Sequence, residues 1–203
     1  MKVLLINGSP HAEGNTRRAL DEVAETLRGE GIETEIFWIG THAVQGCIGC
    51  YKCAELGRCV FHDDLYERIM PLVEACDGIV VGSPVYYAGP AGSLCALLDR
   101  VFYSLGSKLR GKPGASVVVC RRGGASAAFD RLNKYFSILS MPMPTSQYWN
   151  MAYGRNPGEV ADDGEGMQTM RVLGRNMAWM LRACEANPVP SGETPVVRTN
   201  FIR

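Results

Sequence analysis

Short apolar runs alternate with helix-period stretches along nearly the whole chain, and few architectures accept that pattern. Lys2 to Asn7 is a near-continuous apolar run that ends in Gly-Ser-Pro. Leu20, Val23, Ala24 and Leu27 follow at the spacing of one helix face, closed by Gly29 and Gly31. Thr34 to Ile39 reads as a second strand, rich in β-branched and aromatic residues. Asp64, with Glu67 three residues on, has the form of a capping box ahead of a helix face made by Leu65, Ile69, Leu72 and Val73. Pro71 inside that face predicts a kink or a late start. Gly78 to Gly82 reads as a buried strand; Leu94, Leu97, Leu98 and Val101 mark a helix, and Ala115 to Cys120 a fourth strand. Phe129, Leu132, Phe136 and Leu139 mark a further helix, and Thr145 to Asn150 a weaker fifth strand. Met170, Leu173, Met177, Met180, Leu181 and Cys184 mark a last helix.

Strands that alternate with helices are joined by right-handed crossovers into a parallel sheet covered on both faces. Five of them predict an α/β, flavodoxin-like, doubly wound five-stranded sheet of order 2-1-3-4-5. Within 203 residues, one such domain is expected over 1–186, with a long loop at 40–62. Residues 187–203 contain Pro188, Pro190 and Pro195 and no helical period, so an extended C-terminal arm is expected. Its Val189, Val196, Val197, Phe201 and Ile202 call for a neighbour to cover them, which predicts a homodimer or homotetramer. Lysine plus arginine balance the acids at 21 each, leaving no basic surplus for nucleic acid. No run of 18 apolar residues exists, so no membrane span is expected. The apolar stretch Val3 to Ile6 is too short for a signal peptide, and a cytoplasmic location is expected.

In an open α/β sheet, ligands bind beyond the carboxyl ends of the strands. Three segments fall there. The first, Gly8 to Thr16, joins strand one to helix one and includes Ser9, His11, Gly14 and Asn15. Free N–H groups at a helix N-terminus attract an anion, and Ser9, Asn15 and Thr16 add neutral donors. The segment has neither G-x-x-x-x-G-K-[ST] nor G-x-G-x-x-G, so a phosphate monoester suits it better than a nucleoside triphosphate or a dinucleotide. The competing reading is an ordinary βα turn. The second, Gly82 to Gly92, carries Pro84, Val85, Tyr86, Tyr87 and Gly89; planar side chains and glycine-exposed backbone suit a flat heteroaromatic ring, against two tyrosines packed as core lids. The third is Arg121 to Ser126, where Gly123 and Gly124 let backbone approach a ligand; its two arginines face either a phosphate or solvent.

The series GSP-x3-GNT, GSPVYY-x-G and LLDR resembles the NAD(P)H-dependent FMN reductases of the flavodoxin-like superfamily, in an order that covers nearly the whole chain. The resemblance implies FMN, with Ser9, Asn15 and Thr16 at its phosphate, Pro84, Val85, Tyr86 and Gly89 along its ring, and the third segment at the ring's other edge. His11 stands where many members carry a hydroxyl or a small residue. It implies NAD(P)H as co-substrate and a small-molecule or protein electron donor and acceptor. Two alternatives belong beside it: an electron carrier reduced by a ferredoxin-like protein, and a cluster-free NAD(P)H:flavin or quinone reductase. No catalytic acid or base is named, because a flavin takes the hydride itself while the protein supplies position and electrostatics.

Eight cysteines remain to be explained. Cys76, Cys95, Cys120 and Cys184 lie among apolar neighbours and read as small core residues. Cys47, Cys50, Cys53 and Cys59 crowd one loop, and their spacing resembles the compact motif of the iron–sulfur flavoproteins, a branch with a [4Fe–4S] cluster beside FMN. The terminal Asn200 to Arg203 resembles that branch too. Three readings stay open: a [4Fe–4S] cluster, free or redox-active thiols, and structural zinc.

Overall fold

The computed structural model describes residues 1–192, 196, 197, 199 and 201. Its strands are β1 (Lys2–Asn7), β2 (Glu33–Trp38), β3 (Gly78–Tyr86), the two-residue β4 (Gly89–Pro90), β5 (Gly114–Cys120) and β6 (Met151–Tyr153). The helices are α1 (Asn15–Gly29), the one-turn α2 (Cys53–Leu56), α3 (Asp64–Ala75), α4 (Gly92–Ser104), the one-turn α5 (Gly106–Leu109), α6 (Ala125–Ile138) and α7 (Gly164–Ala186). A 3₁₀ turn, Glu159–Asp162, precedes α7.

The sheet runs β2-β1-β3-β5-β6, all parallel, with β4 folded back antiparallel on β3. Counting parallel strands alone, this is the expected 2-1-3-4-5 order. Residue alternation explains the two-sided burial. Leu4, Ile6, Ile79 and Val81 face a core closed by α3, α4 and α6, while Val3, Leu5, Val80 and Val117 face one closed by α1 and α7. Register then fixes the functional edge. Asn7 lies beside Trp38 on one side and Gly82 on the other, so the loops after β1, β2 and β3 leave the sheet at one level.

Two local expectations need correction. The fifth strand is not Thr145–Asn150 but Met151–Tyr153. Ser146 Oγ contacts the Tyr148 carbonyl at 2.5 Å and Asn150 Oδ1 at 2.7 Å, and such local bonds hold 146–150 out of the ladder. Pairing begins only where the Val118 amide donates to the Asn150 carbonyl. The cap of α3 is Asp63, not Asp64: its carboxylate accepts the Tyr66 amide at 3.1 Å. Nor does Pro71 delay α3, which starts at Asp64; Pro71 lies on the solvent face of the helix.

Helix α7 ends at Ala186, and 187–192 are non-helical. Arg110 Nη2 donates to the Pro190 carbonyl at 3.2 Å, and Val196, Val197 and Phe201 are exposed. The arm's residues 193–195, 198, 200, 202 and 203, including Asn200, Ile202 and Arg203 of the terminal motif, lie outside the described residues.

Candidate functional site

Loop one is shaped by a residue that the sequence reading passed over. Asn7, fully buried at the end of β1, accepts the Ser9 amide on Oδ1 at 3.0 Å. Its Nδ2 donates to the carbonyls of His11 and Ala12 at 3.4 and 3.2 Å. The only signal was a polar residue closing an apolar run just before Gly-Ser-Pro. Ser9 is buried, and its Oγ accepts the His11 amide at 3.1 Å. His11 thus serves the loop through its backbone, with its side chain at the surface. Gly8 must be glycine, since a β-carbon there would stand 2.5 Å from Leu94 Cδ2 and 2.9 Å from the Gly82 carbonyl oxygen.

The loop delivers the chain to Gly14, the N-cap of α1, where no side chain caps the helix and the first turn holds no acid. Open N–H groups and the positive end of the helix dipole there form an anion-accepting end. Thr16 is buried in this first turn. Asn15 also makes contacts within the chain. Its Nδ2 donates to the Asn156 carbonyl at 2.8 Å and its Oδ1 accepts the Val160 amide at 3.3 Å. A fourth segment, unforeseen from the sequence, is thereby pinned to the site. Glu159 rigidifies it by accepting the amides of Arg155 and Asn156 at 2.7 and 2.8 Å, and those bonds hold its carboxyl below the usual range.

Loops two and three meet. Val85 pairs with Pro90 and Tyr86 with Gly89, making a hairpin whose two central residues, Tyr87 and Ala88, both have positive φ, 49° and 60°. That is the signature of a type I′ turn, here without its customary glycine or asparagine. Tyr86 is half exposed and Tyr87 fully exposed, so neither is a core lid. At the root, Ser83 is buried; its Oγ donates to the Pro84 carbonyl at 2.8 Å and accepts the Ala91 amide at 2.9 Å. Gly124, at φ 88°, packs on the hairpin tip. Gly123, Arg121 and Arg122 are exposed.

The cysteine segment forms a second centre. The Trp38 indole at its root donates to the Ser9 carbonyl at 2.8 Å, which ties it to loop one. Cys47, Cys50, Cys53 and Cys59 line one concavity with Tyr51, Phe61, Arg100 and Tyr103. None of the four is in a disulfide. Burial pushes the Cys53 thiol up, and negative charge on Cys50, Cys47 and Cys59 would push it further. Among the described residues, no three His, Cys, Asp or Glu side chains converge to hold a single metal ion.

A doubly wound parallel sheet in the order β2-β1-β3-β5-β6 defines a flavodoxin-like fold, and comparison with known proteins sharpens the class. The family described as NADPH-dependent FMN reductase matches residues 1–156, and the chain belongs to that family of oxidoreductases. It is 37% identical over 190 residues to an iron–sulfur flavoprotein of Methanocaldococcus jannaschii, covering 90% of this chain and 98% of the relative. An iron–sulfur flavoprotein of Methanosarcina thermophila is 29% identical over 92% of this chain and 98% of its own. Among solved structures, RosB with a bound 8-demethyl-8-formylriboflavin-5'-phosphate intermediate superposes with a TM-score of 0.73 at 16% identity, covering 100% of this chain and 96% of that one. At that identity it speaks for the fold alone. No helix among the described residues is long and apolar enough to cross a membrane.

Proposed function

We propose that this flavin-dependent oxidoreductase takes electrons from NAD(P)H into FMN and passes them on by way of a [4Fe–4S] cluster on the cysteine segment. The observation that carries the FMN reading is the uncapped start of α1 behind an Asn7-held loop, facing a rigid hairpin on the same sheet edge. The N–H groups after Gly14, with Ser9 and Thr16, would hold the phosphate. The Pro84 to Gly89 hairpin, with Gly123 and Gly124, would lie along the ring. Asn15 would act mainly by fixing the 156–160 segment beside the phosphate. FMN supplies, when bound, a two-electron acceptor that can also release electrons singly.

The cluster reading is supported by four thiols that line one concavity. A [4Fe–4S] cluster takes four cysteine thiolates. Cys47, Cys50, Cys53 and Cys59 would be its ligands, and the relatives' names agree. The exposed Val196, Val197 and Phe201 support a homo-oligomer in which a second copy covers them.

Anaerobic purification followed by flavin, iron and sulfide analysis tests this reading. FMN on acid release, rapid bleaching by NADPH or NADH, and about four irons per chain after reconstitution are expected. A predominant FAD peak overturns the flavin assignment. Reduction only by a protein donor converts the enzyme into a carrier. Fewer than about one iron per chain removes the cluster.

A further inference from the structure

Arg100 stands on α4 among Leu97, Leu98 and Val101, at a position where the helix otherwise buries only apolar groups. Its side chain has no solvent exposure. The guanidinium sends each of its nitrogens to the cysteine segment. Nε donates to Cys59 Sγ at 3.4 Å, Nη1 to the Gln45 carbonyl at 3.3 Å and Nη2 to the Phe61 carbonyl at 3.2 Å. Nη2 also lies 2.5 Å from the Asp63 carboxylate. The cation sits over the rings of Tyr66 and Phe61, 4.9 and 5.7 Å from their centroids. One side chain thus holds both ends of the segment and one thiol within it.

Cys59 is gripped from a second side, because its amide donates to the Tyr66 hydroxyl at 3.0 Å and that hydroxyl contacts Ser104 Oγ at 2.6 Å. Cys47 and Cys50 are exposed, and the Cys47 sulfur accepts only the Gly49 amide, at 3.5 Å. The four thiols are therefore unequal. Burying an arginine against a part-exposed carboxylate adds little net stability over an apolar core of the same volume, so stability alone is a poor reason for an arginine here. A planar fork that reaches four acceptors in different directions is a positioning device, and lysine cannot copy it.

We propose that Arg100 is the positioning residue of the cysteine segment: it fixes Cys59 as the anchor around which the other three thiols close, and its N–H···S bond raises the reduction potential of the cluster they hold. The first half concerns the metal-free chain; the second rests on the cluster reading given above. The sign follows from charge. Reduction adds an electron to a cluster already negative, and a cationic donor to a ligand sulfur stabilises that added charge.

The test uses the full chain with Arg100→Gln and Arg100→Lys, free of metal and after anaerobic reconstitution. In the metal-free protein, hydrogen exchange at the Cys59 amide should quicken by about tenfold or more in both variants, with β1, β3 and β5 amides unchanged, as expected of local opening. Unchanged Cys59 exchange overturns the proposal. Lost sheet protection in both variants overturns it too, since Arg100 would then be holding the whole fold. In reconstituted protein the cluster potential should fall in Arg100→Gln and recover in part in Arg100→Lys, which restores the charge. A potential equal to wild type in Arg100→Gln overturns the second half. If the wild type takes up no iron and sulfide, the cluster reading fails while the exchange result still decides the positioning role.

Discussion

Ala88 and Gly124 touch so closely that a β-carbon on Gly124 would stand 2.7 Å from Ala88 Cα, and both residues have positive φ. The hairpin after β3 and the turn before α6 therefore lock each other. Gly124→Ala adds a clash to a left-handed backbone that costs an L-residue about 1–2 kcal/mol. It should lower unfolding stability by about 2 kcal/mol and weaken flavin binding about tenfold, the equivalent of 1.4 kcal/mol. Denaturant unfolding and fluorescence titration check this; an unchanged flavin affinity would remove loop three from the site.

Ala88→Gly tests the reverse. Glycine relieves about 1–2 kcal/mol of left-handed strain and gives back about 0.4–1 in unfolded-chain entropy, so a net gain of up to about 1.5 kcal/mol is expected. Flavin affinity should fall even so, because strain kept at a hairpin tip holds the ring-facing backbone in one shape. A variant both more stable and equally tight would show the strain to be incidental.

Asn7→Ala removes the acceptor for Ser9 and the donors to His11 and Ala12, leaving their partners unpaired in a buried place. About 1–3 kcal/mol of stability should go, and flavin should be lost before the fold is. Retained flavin colour after gel filtration would count against Asn7 as organiser of the loop.

Asp63 gives the cysteine segment an acid limit. Burial alone would raise its carboxyl, but the Arg100 guanidinium and the Tyr66 amide outweigh that and hold it below the usual carboxylate range. A depressed folded-state pKa contributes stability above the unfolded value, near 3.9, which fades as pH falls through the lower folded one. Opening of the segment should therefore set in below about pH 4. In Asp63→Asn that acid step should vanish, with Arg100 left unpaired at every pH. Exchange at the Cys59 amide between pH 3 and 6 reads it out; an identical profile in the variant would refute the assignment.

Cys50→Ser should abolish the broad visible absorbance of a reconstituted cluster while flavin stays bound. Cys184→Ser, half-buried on α7 away from the segment, should leave the spectrum intact. Equal loss in both would indicate general thiol damage.

The sheet was legible because its evidence is repeated: most strands and helix faces carry their own period, and four crossovers agree. The loops were legible as segments, since glycine and proline mark them, but not as contacts. Asn15 reads as a ligand donor in sequence, and nothing local shows that it also ties loop one to Asn156 and Val160, far along the chain. Arg100 gave one sign, a charge at a core-facing position of an apolar helix. Its partners at Gln45, Cys59, Phe61 and Asp63 are set by tertiary packing, to which local periodicity is blind. Thr145 to Asn150 failed for the opposite reason: short-range hydroxyl and amide bonds beat a weak strand propensity.

The tether from Asn15 also sets an order of events during synthesis. The loop after β1 is finished only when Val160 arrives, 145 residues after Asn15. A nascent chain that has made β1 and α1 has the helix end but no wall beside it until the 156–160 segment follows. Chains truncated before Asn156 should emerge colourless even where their sheet has formed.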